Sequence, residues 1–231
     1  MDFRDRHVVI TGGAGALGTA VVEMLIAAGA ICHVPCFDEG DAQRFRLRGH
    51  SQVKLTITGS LADEANVALL YQGIAPLWAS IHLAGGFAAA ALRETSTAML
   101  RRQIDMNFVS CLLCCRAAVT AMAGNGGRIV NVAARAALEW RSGAGMTAYT
   151  ASKAAVAALT AALAEEVVRD GILVNAVAPS IMDTPANRRA MPKADFGLWP
   201  KVEEVAATIL FLASPENRVT RGAVVPVYGK S

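Results

Sequence analysis

The feature that most constrains this chain is a run of glycines set between an apolar strand and a helix. Residues 7–11 (His7 to Thr11) have the short apolar pattern of a buried strand. Thr11-Gly12-Gly13-Ala14-Gly15-Ala16-Leu17-Gly18 follows without a break, and a helical pattern occupies about 17–28. Gly13, Gly15 and Gly18 form a G-x-G-x-x-G in the strand–turn–helix setting that gives the motif its meaning. Glycines there let bare backbone approach a pyrophosphate, and the helix N-terminus favours its negative charge. A turn of this kind needs a strand feeding a helix, so it points to βαβ architecture.

The rest of the chain repeats the alternation. Strand patterns fall at 30–36, 53–57, 80–83, 128–132, 172–177 and 223–227, with helical patterns near 62–73, 97–123, 149–169 and 201–213. The strands are apolar without alternation, as expected of a sheet covered on both faces. The expected fold is α/β: a single Rossmann-type, doubly wound domain over 1–231, with about seven parallel strands flanked by helices. The one long irregular stretch, about 180–200, carries Pro185, Pro192 and Pro200 and reads as a substrate-side loop or lid.

Composition excludes several classes. At 231 residues and 54% hydrophobic content the chain can bury a large core. The net charge is only +3, with Lys and Arg scattered, so no nucleic-acid partner is expected. The longer apolar stretches are interrupted by charge, as at Arg116, so no membrane partner is expected and the reading is cytoplasmic. Cys111 and Cys114 would share a helix face, but no His or carboxylate stands near them in sequence. The cysteines therefore read as core packing, and no metal is expected.

At the end of the second strand, where an acid or a base normally selects the cofactor, stands Cys36. Asp38 is placed to serve a ribose hydroxyl, and Arg44 or Arg46 a 2′-phosphate. The cofactor reads as NAD(H) or NADP(H). Further along, Tyr149 and Lys153 lie at i and i+4 and so share a helix face. A phenol has a pKa of ~10, and a neighbouring ammonium would bring it towards the working range. Asn107, Ala84-Gly85-Gly86 and Asn175–Pro179 fall at or near the carboxyl ends of strands, where ligands bind in such sheets.

Together these motifs resemble the short-chain dehydrogenase/reductase family across nearly the whole chain. The resemblance implies that Tyr149 donates or accepts the proton, that Lys153 holds the nicotinamide ribose, and that Asn107 supports a proton-relay water. It implies a dinucleotide lying along Gly13, Gly15, Ala16, Leu17 and Gly18. Cys36, Ser60 and Leu61 would meet its adenosine, Ala84, Gly85 and Gly86 its middle, and Pro179, Ile181 and Thr184 the nicotinamide end. The sequence departs from the family at Ala134, which stands where the catalytic serine is normal. The loss of one such donor typically lowers a rate ~10²–10³-fold.

The dihydropteridine reductase branch of that family lacks this serine. Gly13–Gly18, Leu83–Phe87, Ala133–Leu138 and Asp183–Phe196 are similar to its corresponding segments. That similarity implies hydride transfer to an activated, conjugated C=N or C=O acceptor. Phe87, Ala134, Arg135, Trp140, Arg188 and Trp199 would then surround a flat small-molecule substrate. A general carbonyl or 3-oxoacyl reductase, with Ser142 or Thr147 replacing the serine, is one alternative; a non-catalytic dinucleotide sensor or scaffold is another. Broad apolar faces on 97–123 and 149–169 imply a homodimer or homotetramer through those helices.

Overall fold

The computed structural model describes all residues, 1–231. Its strands are β1 (His7–Thr11), β2 (Ile31–Cys36), β3 (Val53–Ile57), β4 (Leu77–His82), β5 (Gly127–Val132), β6 (Ile172–Pro179) and β7 (Val224–Val227). They form one sheet in the order β3-β2-β1-β4-β5-β6-β7, with every pair parallel. The helices are α1 (Ala16–Ala27), α2 (Glu39–Arg44), α3 (Glu64–Tyr71), α4 (Thr97–Ile104), α5 (Ser110–Ala121), α6 (Arg135–Leu138), α7 (Thr147–Glu166), α8 (Pro185–Ala190) and α9 (Val202–Ala213).

The sheet divides the core in two. One cluster joins Val21, Leu25, Ile81, Val130, Ile209 and Leu212 beneath α1 and α9. The other joins Val67, Leu113, Ile129, Val156 and Val174 beneath α3, α5 and α7. Since both faces are covered, the central strands are mostly apolar, and the polar side chains they do carry, such as Ser80, His82, Asn131 and Asn175, are buried. Strand order reverses between β1 and β4, which opens a crevice at their carboxyl ends.

Four differences from the sequence reading have local causes. The fourth strand lies earlier, at Leu77–His82 rather than 80–83. The helix expected at 97–123 is two α-helices joined by a π-turn over Asp105–Val109, which hydrophobic periodicity does not register. The 180–200 stretch is built rather than open: Thr184 Oγ1 caps α8 by accepting from the Asn187 amide at 3.2 Å, and Asp183 bridges to Lys201. Finally, by length and composition the run Thr97–Ala121 is apolar enough to cross a membrane despite Arg116. Here α5 packs instead on β4 and β5 and forms part of the core.

The glycine turn is fixed by contact. Gly12 has φ +67°, and a Cβ there would stand 2.8 Å from the Leu83–Ala84 backbone. A Cβ on Gly18 would run into the Gly12 carbonyl oxygen. Alanine in place of glycine inside an open helix gains about 1 kcal/mol, whereas overpacking of this kind costs about 1–3 kcal/mol. Gly18→Ala is therefore expected to lower the melting temperature despite its better helix propensity, and Gly49→Ala, which meets nothing within 4 Å, to leave it nearly unchanged. Thermal unfolding followed by circular dichroism checks both.

Candidate active site

The crevice at the carboxyl edge holds two clefts that share Gly12, Gly15, Leu83 and Gly85. The wider, about 650 Å³, runs over Ala14, Cys36, Phe37, Ser60, Leu61 and Ala84. The narrower, about 290 Å³, is lined by Ala16–Gly18, Gly86, Phe87, Ala134, Tyr149, Lys153, Pro179 and Thr184. Gly13 lies beneath this floor rather than in it, where a Cβ would stand 2.8 Å from Val34. The glycine that makes the sharp turn is Gly12, signalled in the sequence only by standing one place earlier.

This groove fits a dinucleotide on its own geometry. Gly15 is the N-cap of α1 but supplies no side-chain cap, and no acid occupies the first turn. The first N–H groups of that helix are thus free for an anion. On the facing edge, Gly85 could bear no side chain, since a Cβ would sit 2.6 Å from Asn107 Oδ1 and 3.4 Å from Lys153 Nζ.

Cys36 ends β2, buried, at the wider cleft. Asp38 does not reach towards a ribose; its carboxylate caps α2 by accepting from the Asp41 amide at 2.7 Å. Arg44 pairs with Asp41 at 3.6 Å and Arg46 with Glu23 at 2.6 Å, and neither lines the cleft. The charged groups that do are Asp41 and Asp105, with Arg101 and Arg102 of α4, none singled out from the sequence. They went unrecognised because only the tertiary fold brings α4 beside β2.

Tyr149 and Lys153 share one face of α7. Lys153 is buried, and its Nζ donates to the Val132 carbonyl at 2.8 Å; burial brings its pKa down to about 8. Burial also pushes the Tyr149 phenol up to about 12. The expected lowering of the phenol by the ammonium is therefore not met in the free protein: desolvation moves each group towards its neutral form. Phe87 packs edge-on against Tyr149, with ring centroids 4.9 Å apart.

Asn107 sits in the π-turn, where such turns often serve function. Its Oδ1 accepts from the Gly86 amide at 2.9 Å, and its Nδ2 donates to the Gly86 carbonyl at 3.0 Å and to Ser152 Oγ at 3.1 Å. Ser152 Oγ in turn donates to the Tyr149 carbonyl at 2.7 Å. The amide thus ties the β4 edge to the helix carrying Tyr149, and its bonding capacity is filled by protein groups.

Several expected substrate contacts fall elsewhere. Trp199 is buried against Phe196, with centroids 5.0 Å apart, because its ring closes the core under the 180–200 stretch. Arg188 is held by Asp183 in a two-pronged pair at 2.6 and 2.7 Å. Arg135 pairs with Glu139 at 2.6 Å, and Trp140 is 74% exposed, its indole N–H bonded to the Ala137 carbonyl. Ile181 points out of the clefts, while its neighbours Ser180 and Met182 line the narrower one. Ser142 and Thr147 are exposed and outside it, so neither replaces the hydroxyl missing at Ala134.

One cluster beneath the groove also departs from expectation. Cys111, Cys114 and Cys115 are all buried on the inward side of α5, and His82 of β4 stands beside Cys111 and Cys115. Parallel pairing of β4 with β5 places His82 opposite Asn131, a juxtaposition that sequence spacing does not reveal.

Known proteins give the same family as this geometry. The short chain dehydrogenase family model matches residues 6–195. A subunit of (2S)-[(R)-hydroxy(phenyl)methyl]succinyl-CoA dehydrogenase from Thauera aromatica is 31% identical, the match covering 99% of this chain and 97% of the relative. A galactitol 2-dehydrogenase from Rhizobium johnstonii is 34% identical over 96% of this chain and 93% of its own. A short-chain oxidoreductase structure from Burkholderia thailandensis superposes with TM-score 0.87 at 29% identity, covering 97% of this chain and 92% of that one. The chain belongs to the short-chain dehydrogenase/reductase family and is an oxidoreductase that uses NAD(P)(H).

Proposed function

We propose that this oxidoreductase reduces an electron-poor, conjugated C=N or C=O acceptor of the quinonoid dihydropterin type. The observation that carries the reading is Ala134, buried in the wall of the narrow cleft beside Tyr149 and Lys153. An unactivated ketone needs a second donor there, and the cleft's remaining serine, Ser180, already donates its hydroxyl to the Tyr228 carbonyl at 2.9 Å. An acceptor that is already electrophilic needs only a proton source, and Tyr149 is one.

The residues divide the task. Gly15, Ala16, Leu17 and Gly18 would hold the pyrophosphate at the α1 N-terminus, and Cys36, Ser60 and Leu61 the adenosine. Ala84, Gly85 and Gly86 would follow the chain between them, and Pro179 and Thr184 the carboxamide end. The bound nicotinamide supplies the hydride. Tyr149 Oη gives its proton to the acceptor atom left with a lone pair; Lys153 binds the ribose and holds positive charge near the phenol as that proton leaves. Asn107 acts as a positioning residue through Gly86 and Ser152. Phe87, edge-on to Tyr149, offers a flat face for a conjugated ring. The broader reading, a carbonyl reductase or alcohol dehydrogenase, is favoured by the relatives' names.

The two readings separate by assay. Tyr149→Phe is expected to lower NAD(P)H oxidation with quinonoid dihydropterin ~10²–10⁴-fold while leaving cofactor binding intact. Ala134→Ser is expected to raise turnover of simple ketones at least ~10-fold and to change the pterin rate little. Fast wild-type reduction of simple ketones, with no gain from Ala134→Ser, would instead establish the broader reading. The pH profile follows from the two shifts. A phenol near 12 stays protonated, and therefore able to donate, throughout the assay range. Lys153, near 8, loses its charge first. Reductive kcat/KM is expected to be level through neutral pH and to fall above about pH 8; a fall on the acid side would contradict this assignment.

The subunits are proposed to pair through α4, α5 and α7. Met99 and Leu100 of α4 are exposed on that side, and pairing would cover them. Light scattering at micromolar concentration is expected to give a dimer or tetramer; a monomer would exclude this pairing.

A further inference from the structure

We infer that His82, Cys111 and Cys115, with the Asn131 side-chain oxygen, form a buried site for one soft d¹⁰ cation of the Zn²⁺ class beneath the active-site groove. All four side chains are buried, and the imidazole and both sulfurs offer ligand atoms within 4.8 Å of one another. Cys115 Sγ lies 3.5 Å from His82 Nδ1 and 3.5 Å from Asn131 Oδ1, and Cys111 Sγ lies 3.3 Å from the same oxygen. Zinc bonds of about 2.3 Å to sulfur and about 2.0–2.2 Å to nitrogen or oxygen make tetrahedral edges of about 3.3–3.8 Å. Those three edges lie within or close to that range, and the His82 Nδ1–Asn131 Oδ1 edge, at 2.8 Å, has to open by about half an ångström. The two edges from Cys111 to Cys115 and His82 lie within 4.8 Å.

Hydrogen-bond accounting favours a cation over a plain polar cluster. Thr160 Oγ1 donates to the Val156 carbonyl at 2.8 Å, so it can only accept from Asn131 Nδ2 at 2.9 Å. That fixes Asn131 Oδ1 towards the cysteines and His82. Three donors, two thiols and one imidazole N–H, then converge on an oxygen with two lone pairs. A cation reverses the polarity: four lone pairs meet one positive centre. Two thiolates neutralise a divalent ion, so the loaded site carries no net charge into the core.

The surrounding groups suit the role. Ser80 Oγ stands 2.8 Å from His82 Nε2, and Tyr71 Oη 2.7 Å from Ser80 Oγ, which orients the ring with Nδ1 inward. Metal-bound histidines are commonly fixed this way. On loading, Zn²⁺ bonds to both sulfurs and the two thiol protons pass to solvent. Because the site is closed, loading belongs to folding. The ion would join β4, β5 and α5 just below Val132, whose carbonyl holds Lys153.

The test uses the full chain, unfolded and refolded under reducing conditions with Zn²⁺ or Cd²⁺, then desalted. Elemental mass spectrometry is expected to find about one ion per chain, with a raised melting temperature. The Cd²⁺ form is expected to show a thiolate-to-metal ultraviolet band of the intensity of two thiolates per ion. Cys114→Ser keeps the band, since Cys114 faces Tyr71; Cys115→Ser and His82→Asn weaken binding at least ~10-fold. Should those variants fail to refold, the wild-type band and the Cys114→Ser control decide alone. Less than about a tenth of an ion per chain, no thiolate band, or loss of the band in Cys114→Ser would overturn the site.

Discussion

Where β1 and β4 end side by side, backbone comes close to backbone and Thr11 is the side chain that joins them. Thr11 ties the two strands twice: its carbonyl accepts from the Leu83 amide at 3.1 Å, and its Oγ1 accepts from the Ala84 amide at 3.1 Å. Gly12 turns there, and Gly18 lies against it. The groove exists because these positions lack Cβ atoms. A side chain at Gly12, Gly18 or Gly85 would close it, push α1 off the sheet, or displace Asn107. The same approach leaves the first turn of α1 uncapped at the floor of the groove, where its unsatisfied N–H groups are open to an anion.

The chemistry is set by burial against that backbone. Tyr149 and Lys153 stand on the same helix face, and desolvation drives their pKa values in opposite directions, up to about 12 and down to about 8. The free protein thus holds a proton firmly on the phenol and loosely on the amine, the order a proton donor for reduction requires. Asn107 keeps the frame: one amide side chain joins the β4 edge to α7 through Gly86 and Ser152. The π-turn supplies the extra residue that lets it do so from within a helix.

Much of this was legible in the sequence, for definite reasons. Strands buried on both faces leave short apolar runs, as the 7–11 pattern does at β1; the 53–57 pattern coincides with β3, an edge strand with Lys54 and Ile57 exposed. Tyr149, Lys153, Asn107 and the glycines announce themselves by spacing along a periodic element. The short helices α2 and α8 did not, because each rests on one capping side chain, Asp38 or Thr184, rather than on a hydrophobic period. Trp199 and Arg188 were placed at the substrate because a one-dimensional string does not show direction. The first turns into the core and the second to Asp183. The grouping of His82 with Cys111 and Cys115 depends on strand order and helix packing together, which no local pattern encodes.

The central claim is that a dinucleotide lies along the glycine floor with its reactive end at Lys153. Calorimetric titration of NADH and NADPH into the wild-type protein and into Lys153→Met tests it most directly. The account predicts saturable binding, one molecule per chain, of at least one of the two, weakened when Lys153 loses its ammonium. Failure of the folded wild-type protein to bind either, or binding unaffected by Lys153→Met, would contradict it.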